Sequence, residues 1–196
     1  MKKLFGVLMA VVAATALAAP TAQAATDAGQ LVKSLTAEVG AIARTQTGAK
    51  RDSAIGQILR RRFDWGAVAS AALGAHWNQA TEHQRTRLLA AIEANETRAY
   101  SQRLGKLAGY DIKIQKVVPR ASGTWDVDSL IDQPGGFPMK LSWEVRDSGT
   151  GPRIADVKVM GISLSTTKRA EFHSYIQRNG GSIEPLVQEL EARAQR

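Results

Sequence analysis

Few side chains in this 196-residue sequence have the type and spacing that chemistry needs. Its three histidines are His76, His83 and His173. An imidazole exchanges a proton near neutrality, so each is a candidate acid or base. His83 falls in what reads as a first helical turn, and His76 stands beside Trp77 in a turn; both read as solvated or structural. His173 adjoins Ser174, but neighbouring helix positions point apart, so the two cannot act as base and nucleophile. No Gly-x-Ser-x-Gly elbow occurs, while a triad drawn from distant residues stays open. Asp126 and Asp128 stand two apart on one strand. Paired carboxylates can do acid–base work or hold a cation. Alternating with Trp125 and Val127, they read instead as solvent-facing residues. Lys168 and Arg169 open a helix, where they either meet a phosphate or a partner or simply stand in water. Arg60, Arg61 and Arg62 crowd a last helical turn, where positive charge opposes the negative end of the dipole. With no cysteine there is no disulfide, thiolate zinc site, thiol nucleophile or thioether-linked lipid anchor. No metal site is expected.

The elements around these residues are clearer than the chemistry. From Tyr110 to Ser163 the sequence reads as four strands in succession. Tyr110, Ile112 and Ile114 alternate with Asp111, Lys113 and Gln115. Trp125, Val127 and Ile131 alternate with acidic positions. Met139, Leu141, Trp143 and Val145 alternate with Lys140, Ser142, Glu144 and Arg146. Val157 and Val159 alternate with Asp156, Lys158 and Met160. Successive side chains of a strand face opposite ways, so the pattern makes one apolar wall and one wet wall. Short connections rich in Gly and Pro favour antiparallel neighbours in a meander.

Amphipathic helices flank the strands. Thr26 or Asp27 can cap one carrying Leu31, Leu35, Val39 and Ile42; Asp52 can cap a second with Ile55, Ile58 and Leu59. Asp64 begins a third, which Gly74 ends in a left-handed conformation. Thr81 and Gln84 have the capping-box spacing for a long helix toward Leu104. Thr166 or Thr167 can cap a helix through Phe172 and Ile176, broken at Asn179-Gly180-Gly181. Ile183, Leu186, Val187 and Leu190 mark the last helix.

At the other end, Lys2 and Lys3 precede an uncharged apolar run, and Ala22-Gln23-Ala24 has the form of a cleavage site. Residues 1–24 therefore read as a signal peptide and 25–196 as one domain exported to a bacterial periplasm. The run is short for a membrane span. Removing Lys2 and Lys3 takes the formal charge from +8 to +6. A basic exported chain tends toward anionic surfaces such as lipid headgroups. Nucleic acid is not expected as a partner, because the basic residues are not interleaved with aromatics.

Two stretches resemble a known family. One is Arg62-Phe63-Asp64 with Ala71-Ala72-Leu73-Gly74-Ala75-His76-Trp77, then Ala80-Thr81 and Gln84-Arg85. The other is Asp156-Val157-Lys158-Val159 with Gly161-Ile162-Ser163-Leu164, then Lys168-Arg169, Glu171-Phe172, and Ile176 ahead of Gly180-Gly181. In order and spacing they are similar to the MlaC, or toluene-tolerance, family of periplasmic phospholipid carriers. The resemblance implies an α+β fold with a curved antiparallel sheet, covered by helices around a deep apolar cavity for acyl chains. It implies traffic between an outer-membrane lipoprotein complex and the substrate-binding ring of an inner-membrane ABC transporter, with no cofactor. Many members carry an aromatic where this chain has Pro152-Arg153-Ile154, which leaves a hopanoid-associated sister group open. A monomer is expected.

A lipid carrier needs a dry wall. Each buried methylene is worth about 0.8 kcal/mol, so leaving four carbons wet costs roughly 3 kcal/mol, which calls for a deep cavity. The candidate lipid-binding residues are Ile112, Ile114, Trp125, Val127, Leu141, Trp143, Val145, Val157 and Val159 on the sheet, facing Leu88, Ile92, Tyr100 and Leu104 on the long helix. Alternation alone is equally met by a filled core; the resemblance points to a cavity. Two other functions stay open: an enzyme on a similar cone-shaped scaffold with a pocket acid or base, and an adaptor with no cavity.

Overall fold

The computed structural model describes residues 22–106, 110, 112–132 and 136–196. Most of the expected signal peptide lies outside the described residues, as do Gly109, Asp111 and the turn positions Pro134-Gly135. Helices α1 (Ala22–Thr45), α2 (Gly48–Arg62), α3 (Trp65–Leu73), α4 (Ala75–Gln79) and α5 (Glu82–Lys106) precede strands β1 (Ile112–Pro119), β2 (Thr124–Ile131), β3 (Met139–Asp147), β4 (Pro152–Val159) and β5 (Ile162–Ser163); α6 (Leu164–Arg178) and α7 (Glu184–Ala194) follow. The fold is α+β. The strands form one antiparallel sheet in sequence order.

The register explains the apolar wall. Trp125, Val145 and Ile154 stand opposite one another across β2, β3 and β4; Val127, Trp143 and Val157 form the next row; Ser129, Leu141 and Val159 form the third. Ser129 fits in this wall because the Trp143 indole N–H donates to its Oγ at 3.0 Å. Two bulges bend the sheet, one between Ile114 and Lys116 and one between Glu144 and Val145. The first leaves Gln115 without an opposite residue, so Val117 faces Val127 and continues the wall past the point where simple alternation runs out.

The expected four strands become five. Met160 (φ +51°) and Gly161 (φ +85°) reverse the chain, and Ile162 then pairs with Val159. Strand β4 also starts earlier than the alternation suggests, at Pro152, a strand's first residue being a position proline tolerates.

Several helix starts differ from expectation in instructive ways. Helix α1 is already formed at Ala22, the first described residue, so Thr26 and Asp27 lie inside it rather than at its cap. Helix α2 begins at Gly48, and Asp52 pairs with Arg51 at 2.7 Å instead of capping. The hydroxyl of Ser163, not Thr166 or Thr167, caps α6 by accepting from the Thr166 N–H at 3.0 Å. Gly74 takes a positive φ, but α4 starts directly after it, so His76 and Trp77 stand on a short helix rather than in a turn. Two caps match expectation. The Asp64 carboxylate accepts from the Ala67 N–H at 2.9 Å, and Thr81 and Gln84 bond reciprocally at 3.1 and 3.2 Å.

Helix α5 packs between α2 and α7, and α1 lies along β1. Among the described residues no helix is long and apolar enough to cross a membrane.

Candidate functional site

The inner face of the sheet is not completely filled. A cavity of about 320 Å³ lies toward the end of the sheet that carries Met139 and Val159. Met139, Leu141, Trp143, Val157 and Val159 line it from the sheet, Tyr100, Arg103 and Leu104 from α5, and Phe63 and Leu164 from the chain entering α3 and α6. Grooves elsewhere, of about 440, 530, 410 and 390 Å³, mix charged side chains into their walls. The 320 Å³ cavity is hydrocarbon and aromatic apart from Arg103. Its size falls at the small end of ligand pockets, which run about 300–1,000 Å³.

Local structure positions these walls. The Asp64 N–H bonds to the Ile154 carbonyl at 2.8 Å, and Phe63 bridges to Ile154, so the link between α2 and α3 is tied to β4. Phe63 stacks on Trp65 (5.3 Å between ring centroids) and meets Tyr100 (5.8 Å), while Trp65 and Tyr100 stand 6.4 Å apart. Burial, then the nearby Glu96 carboxylate, push the Tyr100 phenol's pKa upward, so it is neutral near pH 7. Glu96 is itself buried and pairs with Lys168 at 3.5 Å; Lys168 also meets Glu171 at 3.0 Å. Arg169 donates to the Ala71 carbonyl at 2.8 Å. Of the two possibilities for Lys168 and Arg169, the structure thus shows internal partners for both. Arg103, by contrast, has no ion-pair partner among the described residues and reaches the cavity wall.

Six of the thirteen candidate residues line this cavity: Tyr100, Leu104, Leu141, Trp143, Val157 and Val159. Trp125, Val127 and Val145 lie in the core toward the other end of the sheet, and Leu88 and Ile92 are buried on earlier turns of α5. Ile112 and Ile114 pack against the core from β1, partly exposed. Four lining residues were not among the candidates. Met139 shares a face with Leu141, so its alternation already carried the signal. Leu164 and Phe63 lie at element boundaries, where periodicity says nothing. Arg103 is charged and gave no apolar signal.

On the outer face, Asp126, Glu144 and Asp156 stand in one row across β2, β3 and β4. Asp126 is not solvent-facing as the alternation suggests. It is 5 % exposed and accepts from Arg120 at 2.9 and 2.6 Å, with the Lys158 ammonium at 3.5 Å, so two cations meet it under cover. Asp128 pairs with Lys116 at 3.4 Å. Burial, with Asp156 and Asp126 adding repulsion, raises the Glu144 pKa. His76 and His173 meet on the surface, Nε2 to Nδ1 at 3.0 Å, which joins α4 to α6. Among the described residues no cluster of three or more metal-ligating side chains forms.

A family model described as MlaC protein matches residues 30–192. Among solved structures, the phospholipid-binding protein from Ralstonia solanacearum, determined in complex with a phospholipid, is similar. It has a TM-score of 0.75 and 23% identity, covering 86% of this chain and 97% of that one. At that identity the likeness is one of fold. No curated protein matches.

Proposed function

The chain belongs to the MlaC family, and from that premise we propose that it binds a phospholipid by its acyl chains and carries it between membranes. The observation that carries the proposal is the 320 Å³ cavity walled by hydrocarbon and aromatic side chains. A hydrocarbon tail moved from water into that space gains about 0.8 kcal/mol per methylene. Arg103 sets one guanidinium at an otherwise apolar wall, where a lipid phosphate can meet it as the tail enters. The fold likeness to a protein solved with a phospholipid supports the same reading.

Among the described residues the cavity lining contains no carboxylate and no imidazole, and the perturbed Glu144 belongs to the opposite face of the sheet. The site therefore favours a carrier over an enzyme using a pocket acid or base. Its setting in this proposal is the periplasm, after removal of residues 1–24, with 25–196 acting as one domain. Its partners are an outer-membrane lipoprotein complex and an inner-membrane ABC transporter ring.

Native mass spectrometry of the exported protein tests this. A stoichiometric lipid is expected on the wild type, and its mass separates phospholipid from hopanoid. In a folded Leu141→Arg variant, with the guanidinium in the cavity, the lipid is expected to be lost. Wild-type protein that carries no lipid and takes none from vesicles would overturn the carrier reading; lipid retained by Leu141→Arg would relocate the site. The exported chain is expected to begin at Ala25.

A further inference from the structure

Three large apolar side chains are exposed among the described residues: Phe137 (92 %), Met160 (60 %) and Ile162 (66 %). All three sit at the end of the sheet toward which the cavity lies, Phe137 before β3, Met160 in the turn after β4 and Ile162 on β5. The placement follows from the register. Ile162 pairs with Val159, a cavity-wall residue, so the two share a face, and Leu164, another wall residue, lies two positions on. An apolar strip thus runs from the cavity wall into solvent without a polar break on that face. Phe137 stands two residues ahead of Met139, also in the wall. The Met160 N–H donates to the Lys140 carbonyl at 2.9 Å, and its thioether sulfur accepts the Lys140 N–H at 3.3 Å. Met160 holds a φ of +51°, a conformation that favours glycine. A long apolar side chain is presented there despite the strain. Two cations stand at this end of the sheet, Arg103 in the cavity wall on α5 and Lys140 on the outer face of β3 between Met139 and Leu141; both are exposed and without an ion-pair partner among the described residues.

We propose that this rim docks on an anionic phospholipid bilayer, with the three apolar tips entering the boundary between headgroups and acyl chains. Apolar tips flanked by basic residues match that boundary, where hydrocarbon lies beneath negative charge. A basic chain, at formal charge +6 once Lys2 and Lys3 are removed, is drawn toward the same surface. Three tips are too few for a lasting anchor, since stable attachment takes more apolar surface than this. The contact is therefore brief, and it lets a tail pass between bilayer and cavity along an apolar strip. This docking rests on the carrier reading but is separable from it.

Flotation of the full exported chain with vesicles tests the proposal, using phosphatidylcholine alone and phosphatidylcholine mixed with phosphatidylglycerol. Wild-type protein is expected to float with the mixed vesicles and less with the neutral ones. Phe137→Ser, nearly fully exposed and so harmless to folding, is expected to weaken binding. The combined Phe137→Ser, Met160→Ser and Ile162→Ser variant is expected to lose roughly tenfold or more. Lys140→Glu is expected to erase the preference for anionic vesicles. Native mass spectrometry of the same variants should still show bound lipid. Wild-type protein that floats with neither vesicle, even if it is captured by a partner protein, overturns the docking; so does a triple variant that floats as well as wild type. Absence of bound lipid from the wild type is a separate result, which counts against the carrier reading.

Discussion

At the scale of single residues, the two faces of the sheet give opposite predictions. Val127 is fully buried between Val117 and Trp143 and does not line the cavity. Val127→Arg is therefore expected to unfold the protein rather than block cargo, costing about 3–5 kcal/mol for an unpaired buried charge, as chemical denaturation would show. Leu141→Arg has the cavity to extend into, so its loss should appear in lipid content. On the outer face, Glu144 has a raised pKa. The folded protein binds that proton more tightly than the unfolded chain does, so Glu144 costs stability once ionised, and the cost disappears as pH falls through the interval between the two pKa values. Glu144→Gln is expected to raise Tm at neutral pH, with the gain shrinking on acidification; thermal melts across pH check it. What the sequence disclosed at this scale was hydrophobicity. Leu141, Trp143, Val157 and Val159 could be picked because alternation reports which face a side chain takes. Asp126 and Arg103 could not, because burial of one carboxylate by Arg120 and Lys158, and exposure of one cation to a greasy wall, are products of tertiary packing.

At the scale of elements, local chemistry was legible where a side chain bonds to its own backbone neighbourhood. The Asp64 cap and the Thr81–Gln84 box depend on residues three apart, and both form. Asp64→Ala is expected to cost about 1 kcal/mol, measurable by denaturant unfolding. The bulge at Gln115 and the small strand β5 were not legible. Each depends on a partner strand or a strained turn that periodicity does not encode. The attachment of α7 to α5 was hidden too, for it joins residues about a hundred positions apart. Arg87 donates twice to Glu191, at 2.8 and 2.6 Å, and once to Glu184, at 2.7 Å. Gln84 first and Arg87 second hold the Glu184 pKa below the usual carboxylate range, and Arg87 does the same for Glu191. A depressed carboxylate adds stability above its unfolded pKa, and that stability is lost as pH falls through the folded value. Acid is thus expected to loosen α7 first. Arg87→Met is expected to do so at neutral pH, with α7 amides exchanging faster while β3 stays protected.

At the scale of the whole molecule, a meander and its covering helices use the same apolar face for two purposes. Toward the row of Trp125, Val145 and Ile154 that face is packed solid; toward Met139 and Val159 it is left open. Solid packing at one end can offset the stability forgone at the other, and cavities lined by apolar groups do cost stability. Occupancy is accordingly expected to raise Tm by mass action, with delipidated protein melting lower until lipid is restored. The position of Trp143 has a further use. Its indole stands in the cavity wall with its N–H fixed on Ser129, and Trp65 stacks on Phe63 and near Tyr100, two other residues of that wall. Light emission from these rings senses the polarity around them. The protein therefore carries a built-in optical gauge, whose colour shift would time the arrival and departure of each guest without any attached dye.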